Sequence, residues 1–131
     1  MEQRIRLEPK VQSAREARQF VDRSLEAWTG PETRSDARLL VNELVVNAIQ
    51  HAGTPVEVQV AVEPDAVEVA VRDESPQLPE LRRPEVHEEH GRGLLTVDAV
   101  AEAWGVKQEP SGKAVWFRLG AASTRVRPGG R

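Results

Sequence analysis

The chain has 131 residues, with 18 Lys and Arg against 21 Asp and Glu, a formal net charge of -3 and no cysteine. That length suits one compact domain, and the acidic balance gives no general attraction to nucleic acid, so no direct nucleic-acid partner is expected. The lack of cysteine excludes disulfides, thiolate metal sites and cysteine nucleophiles; with no signal-peptide or membrane-spanning apolar run, the expectation is a cytoplasmic protein without a membrane partner.

Ile5 and Leu7 alternate with Arg4, Arg6 and Glu8, which predicts a short strand before Pro9. From Ser13 to Trp28, Ala14, Ala17, Phe20, Val21, Leu25 and Trp28 recur at helical spacing. Ser13 with Glu16 three residues on has the pattern of a capping box. Gly30-Pro31 is expected to stop this helix, and a second should run from about Ser35 or Asp36 to Ala52, ended by Gly53 and Pro55. Val56, Val58, Val60 and Val62, then Val67, Val69 and Val71 after Pro64-Asp65, alternate with polar or small residues. They predict an antiparallel hairpin with one buried face.

Asp73 to His90 contains Pro76, Pro79 and Pro84 and many acids, so irregular structure is expected there. Long loops inside small domains are usually functional. Leu94 to Ala103 predicts a short amphipathic helix after Gly91-Arg92-Gly93. Trp104–Gln108 and Ala114–Leu119 predict a last hairpin turned at Pro110-Ser111-Gly112. The order implies an α/β (α+β) two-layer sandwich, a mixed, mostly antiparallel sheet with helices on one face. Residues 1–119 are expected to form the domain. Residues 120–131, with Arg125, Arg127 and Arg131 and no acid, should be a flexible basic tail.

On a helical wheel Leu39, Val41, Leu44, Val45, Val46, Ala48 and Ile49 cover most of the second helix, which predicts near-complete burial. Glu43, Asn47, Gln50 and His51 share a narrow polar stripe. It is either the solvent face of a core helix or the wall of a wet cleft, since a buried carboxylate and amide are costly without partners. Glu43 and Asn47 offer hard oxygen donors of the kind that suit magnesium shared with phosphate. Gly91 and Gly93 precede a helix, where backbone amides and the helix N-terminus favour phosphate, although such glycines also serve as plain turns. Asp73, ending a strand, is either a turn former or an acceptor for an exocyclic amine. Lys113, after Gly112, is either a solvated turn lysine or a further ligand residue.

In this order the pieces resemble the GHKL ATPase superfamily, most nearly its small bacterial anti-sigma serine/threonine kinase branch, over about Ser13 to Leu119. Glu43-Leu44-Val45-Val46-Asn47-Ala48-Ile49-Gln50-His51-Ala52 resembles the N-box. Gly91-Arg92-Gly93-Leu94 resembles the second glycine box, and Gly112-Lys113-Ala114-Val115-Trp116-Phe117 the closing strand motif. The resemblance implies a Bergerat, histidine-kinase-like fold with ATP and Mg2+ as cofactors. Asn47 would be the magnesium ligand, Glu43 the catalytic base, and Asp73 the adenine contact. Gly91, Gly93 and Leu94 would meet the phosphates, Arg92 would neutralise phosphate charge, and His51 and Lys113 would complete the ATP-binding set. Asp73 to His90 would be the ATP lid. The first glycine box departs from the family pattern: Asp73-Glu74-Ser75-Pro76-Gln77 keeps the acid and lacks both glycines.

The implied function is an anti-sigma serine/threonine kinase that binds a sigma factor and phosphorylates an anti-anti-sigma antagonist, with homodimerisation common in such proteins. The alternative is a non-catalytic, nucleotide-gated module that sequesters a transcription regulator. A stand-alone histidine-kinase catalytic domain is a third reading.

Overall fold

The computed structural model describes residues 1–78 and 93–120. The expected lid beyond Leu78, together with Gly91, Arg92 and the tail from residue 121, lies outside them. The described elements are β1 (Glu2–Leu7), α1 (Gln12–Leu25), α2 (Pro31–His51), β2 (Val56–Glu63), β3 (Ala66–Asp73), α3 (Gly93–Val100), β4 (Ala103–Glu109) and β5 (Gly112–Gly120).

Five strands form one sheet in the order β1-β2-β3-β5-β4, and all four pairings are antiparallel. Side chains alternate between the faces of a strand, and directly paired residues share a face. Val58 therefore stands beside Val71, which in turn stands beside Val115. These valines, with Val56, Val60, Val67, Val69, Phe117 and Leu119, make the buried face. Against it α1 and α2 lay Ala17, Val21, Leu25, Leu40, Val41, Leu44 and Val45. The opposite face carries Trp116, packed over Gly105, and a set of ion pairs. Arg72 pairs there with Glu57 and Glu109, and Arg118 with Glu63, Glu68 and Glu102.

Several boundaries differ from the sequence expectations. Gly30-Pro31 does not stop α1, which ends at Leu25. Gly30 is extended, and Pro31 is the first residue of α2, so this helix starts four residues before Ser35. Proline is tolerated there because its missing N–H has no helical acceptor at that position. The capping box does not form. Ser13 lies inside α1, buried, and its hydroxyl donates to the Glu8 carbonyl at 2.5 Å. Trp28 falls in the turn after α1 and is 52% exposed. Ala103 belongs to β4, not to α3, and Gly120 closes β5 opposite Ala66. The second helix is also less buried than the wheel implied. Leu39 is 43% exposed and Val46 and Ile49 are half-buried, since α1, α3 and the sheet cover only part of its circumference.

The path of α2 positions everything that follows. Near its start, the Thr33 hydroxyl donates to the Gly120 carbonyl at one end of the sheet. Beyond its last turn, Thr54 Oγ1 accepts from the Glu74 amide at 2.9 Å, at the other end. The helix thus spans the sheet from the end of β5 to the end of β3.

Candidate functional site

At that second end the buried face of the sheet changes from apolar to charged. Continuing the inward series of β3 past Val71 places Asp73 on the helix side. Continuing the series of β5 back from Val115 places Lys113 there. The two are direct cross-strand partners. Lys113 Nζ lies 3.0 Å from Asp73 Oδ1, with side chains 7% and 4% exposed. Lys113 is thus neither a solvated turn residue nor an isolated one.

Asp73 Oδ1 also accepts from the Ser75 amide at 2.9 Å, and Ser75 Oγ accepts from the Gln77 amide at 3.2 Å. These are side-chain-to-backbone turns of the type Asp and Ser readily form. They bend the chain after β3 without the two glycines that the first glycine box lacks. The same segment is tied to the sheet elsewhere. Lys113 Nζ donates to the Ser75 carbonyl, Gln108 Nε2 to the Pro76 carbonyl, and Arg6 pairs with Glu74.

Glu43 and Asn47 lie one turn apart on α2, both half-buried. Among the described residues neither side chain has a hydrogen-bond or ion-pair partner, in contrast to Asn42 one position away, whose Oδ1 accepts from Arg18. Asn47 stands four residues before His51, about 6 Å along the helix axis from the end that meets Glu74. Gln50 and His51 are exposed, so the stripe divides into two half-buried groups and two at the surface. Leu94 is buried in the first turn of α3, which begins at Gly93. The far end of α3 is anchored at the opposite corner of the sheet, where the Glu102 amide donates to the Arg118 carbonyl.

These residues suit a magnesium nucleotide. A carboxylate and a carboxamide with no partner among the described residues offer oxygens to a hard cation, and a buried acid at the sheet end offers an acceptor to a base. Among the described residues no three His, Cys, Asp or Glu side chains cluster as a metal cage. Magnesium does not require one, because it keeps waters and takes phosphate oxygens alongside one or two protein ligands. The contacts that reasoning from sequence missed are Thr54, Ser75 and Gln108, which hold the chain around Asp73. Only Ser75 carried a signal, as a small hydroxyl residue two positions after an Asp.

A five-stranded antiparallel sheet with helices on one face defines a GHKL-type ATPase fold. Residues 7–119 match the family described as histidine kinase-like ATPase domain, and the chain belongs to that family. A Streptomyces coelicolor protein named uncharacterized protein SCO4941 is 38% identical over 80 residues, covering 57% of this chain and 76% of that one. Among solved structures, the RsbU and RsbW domains of Rv1364c from Mycobacterium tuberculosis superpose with a TM-score of 0.69 at 17% identity over 91% of this chain. The chain spans only about a third, 32%, of that protein. The histidine kinase domain of the blue-light activated kinase EL346 from Erythrobacter litoralis gives a TM-score of 0.51 at 23% identity, covering 70% of this chain and 46% of that one. Both structural likenesses establish the fold. No helix among the described residues is long and apolar enough to cross a membrane.

Proposed function

We propose that this chain is a Mg-ATP-binding regulatory protein kinase of the anti-sigma type, transferring phosphate to a serine or threonine of a protein antagonist. The observation that carries this reading is the pair of half-buried side chains Glu43 and Asn47, which have no partner among the described residues, on the helix that ends beside the buried Asp73. When bound, Mg2+ supplies charge neutralisation for the triphosphate, and Asn47 is the residue that would hold it. Asp73 accepts the amine of the base. Gly93 and the amides entering Leu94, with Gly91 and Arg92 ahead of them, meet the phosphates. Glu43 orients the attacking hydroxyl and takes its proton, a role suited to a carboxylate shielded from bulk water on one side. A sigma factor and an anti-anti-sigma protein are the proposed partners, in keeping with the RsbW domain named in the Mycobacterium structure.

Isothermal calorimetry with Mg-ATP and labelled phosphotransfer to antagonist proteins test this directly. Wild type should bind, and Asn47→Ala should lose at least about tenfold in affinity, the worth of one charge-assisted contact. Glu43→Gln should keep binding and lose transfer by about 100-fold or more, as expected for removal of a general base. Transfer by Glu43→Gln at the wild-type rate would remove the kinase assignment.

A second reading has its own observation: the residues after Asp73 are pinned by Lys113, Gln108 and Thr54 where the family has mobile glycines. A chain that binds ATP yet transfers nothing, with Glu43→Gln indistinguishable from wild type, is a nucleotide-gated sequestering module. Its partner would be the same transcription regulator.

A further inference from the structure

Among the described residues Lys113 is the one buried cation. It enters β5 directly opposite Asp73, is 6% exposed, and places its ammonium 3.0 Å from Asp73 Oδ1 and 3.4 Å from the Ser75 carbonyl. An ammonium has three donors, and two are taken at the sheet end. The geometry therefore does not describe a lysine free to reach a phosphate.

What the pairing does to Asp73 follows from counting oxygens. Oδ1 receives both Lys113 Nζ and the Ser75 amide, while among the described residues no donor reaches Oδ2. One oxygen is thus held twice, which fixes the plane of the carboxylate, and the other remains an acceptor. A carboxylate this shielded is costly alone, and the adjacent ammonium offsets that cost. We infer that Lys113 is a positioning residue for base recognition, locking Asp73 through Oδ1 so that Oδ2 accepts the exocyclic amine of a purine. The inference rests on the nucleotide-binding reading above and adds to it the residue that sets base selectivity.

The test compares Mg-ATP with the Mg complex of purine riboside triphosphate, which has the same sugar and phosphates and lacks the amine. Calorimetry on wild type should show ATP favoured by about tenfold or more, because a site built to pair with a donor rejects its absence. Lys113→Met should bring ATP down to within about twofold of the amine-free nucleotide, whose own affinity stays at the wild-type value. The double variant D73L/K113M carries neither buried charge nor an acceptor at that position, and serves if the lone carboxylate of Lys113→Met unfolds the chain, as thermal melting would show. It too should bind both nucleotides within about twofold, again with wild-type affinity for the amine-free one. Equal weakening of both nucleotides in either variant would mean that Lys113 meets phosphate or sugar, and would overturn the assignment. Retained preference for ATP in Lys113→Met would overturn it as well. Failure of wild type to bind either nucleotide would instead sink the nucleotide reading itself, and this inference with it.

Discussion

Gly112 opens β5 with a φ of +156°, against the main chain of β3. A methyl group at this position would stand 1.9 Å from the Asp73 carbonyl oxygen and 2.8 Å from Glu74 Cα. Both obstacles are backbone, and the carbonyl belongs to a strand hydrogen-bonded on two sides, so neither can swing away. Two costs therefore add in Gly112→Ala. A side chain at that φ costs about 1–3 kcal/mol, and displacing the packed main chain costs about 1–3 kcal/mol more. The sum, about 2–6 kcal/mol, is a large part of the roughly 5–15 kcal/mol by which a domain is stable.

Gly53 provides the internal comparison. Its φ is +65°, yet nothing lies within 4 Å of an added methyl, so Gly53→Ala carries only the conformational term, about 1–2 kcal/mol. Urea denaturation of wild type and both variants, analysed at constant slope, measures the difference. Gly112→Ala should be the less stable by at least about 1 kcal/mol, the low end of the overpacking term. If it is no less stable than Gly53→Ala, the close approach of β5 to the Asp73 main chain is wrong.

Two further outcomes test the packing and the ion pairs of the opposite face. Phe117 is fully buried between the sheet and the helices, so Phe117→Ala should lose about 3–5 kcal/mol in the same urea assay. Arg118 meets Glu63, Asp65, Glu68 and Glu102 at 3.1–3.9 Å, but these partners are 38–85% exposed. Arg118→Ala should therefore cost no more than about 1 kcal/mol, and the loss should shrink further at 1 M salt, where the screening length is about 3 Å.

Much of the architecture was legible because short-range physics dictates it. Alternating valines in β2 and β3 announce a sheet with one buried face, and the two-residue turn at Pro64-Asp65 makes them neighbours. The run of apolar residues around Glu43 and Asn47 announces a helix whose polar groups need a reason. The ends of helices were less legible, because Gly30-Pro31 works equally well as a stop or a start. Only the tertiary structure, in which Gly30 is extended and Thr33 bonds the Gly120 carbonyl at the sheet end, decides that Pro31 begins α2. Leu39 shows the same limit: the wheel marks it as apolar, but whether an apolar position is covered depends on which elements reach it.

Sequence alone supplied the candidate residues: a carboxylate and an amide one helical turn apart, an acid ending a strand, and a lysine beginning another. It did not establish who meets whom. β5 inserts between β3 and β4, a choice set by long-range strand pairing that no local pattern encodes. That insertion puts Lys113 across from Asp73, forty residues distant along the chain. The sheet order, acting through the alternation of side chains, turned two separate polar residues into one buried pair.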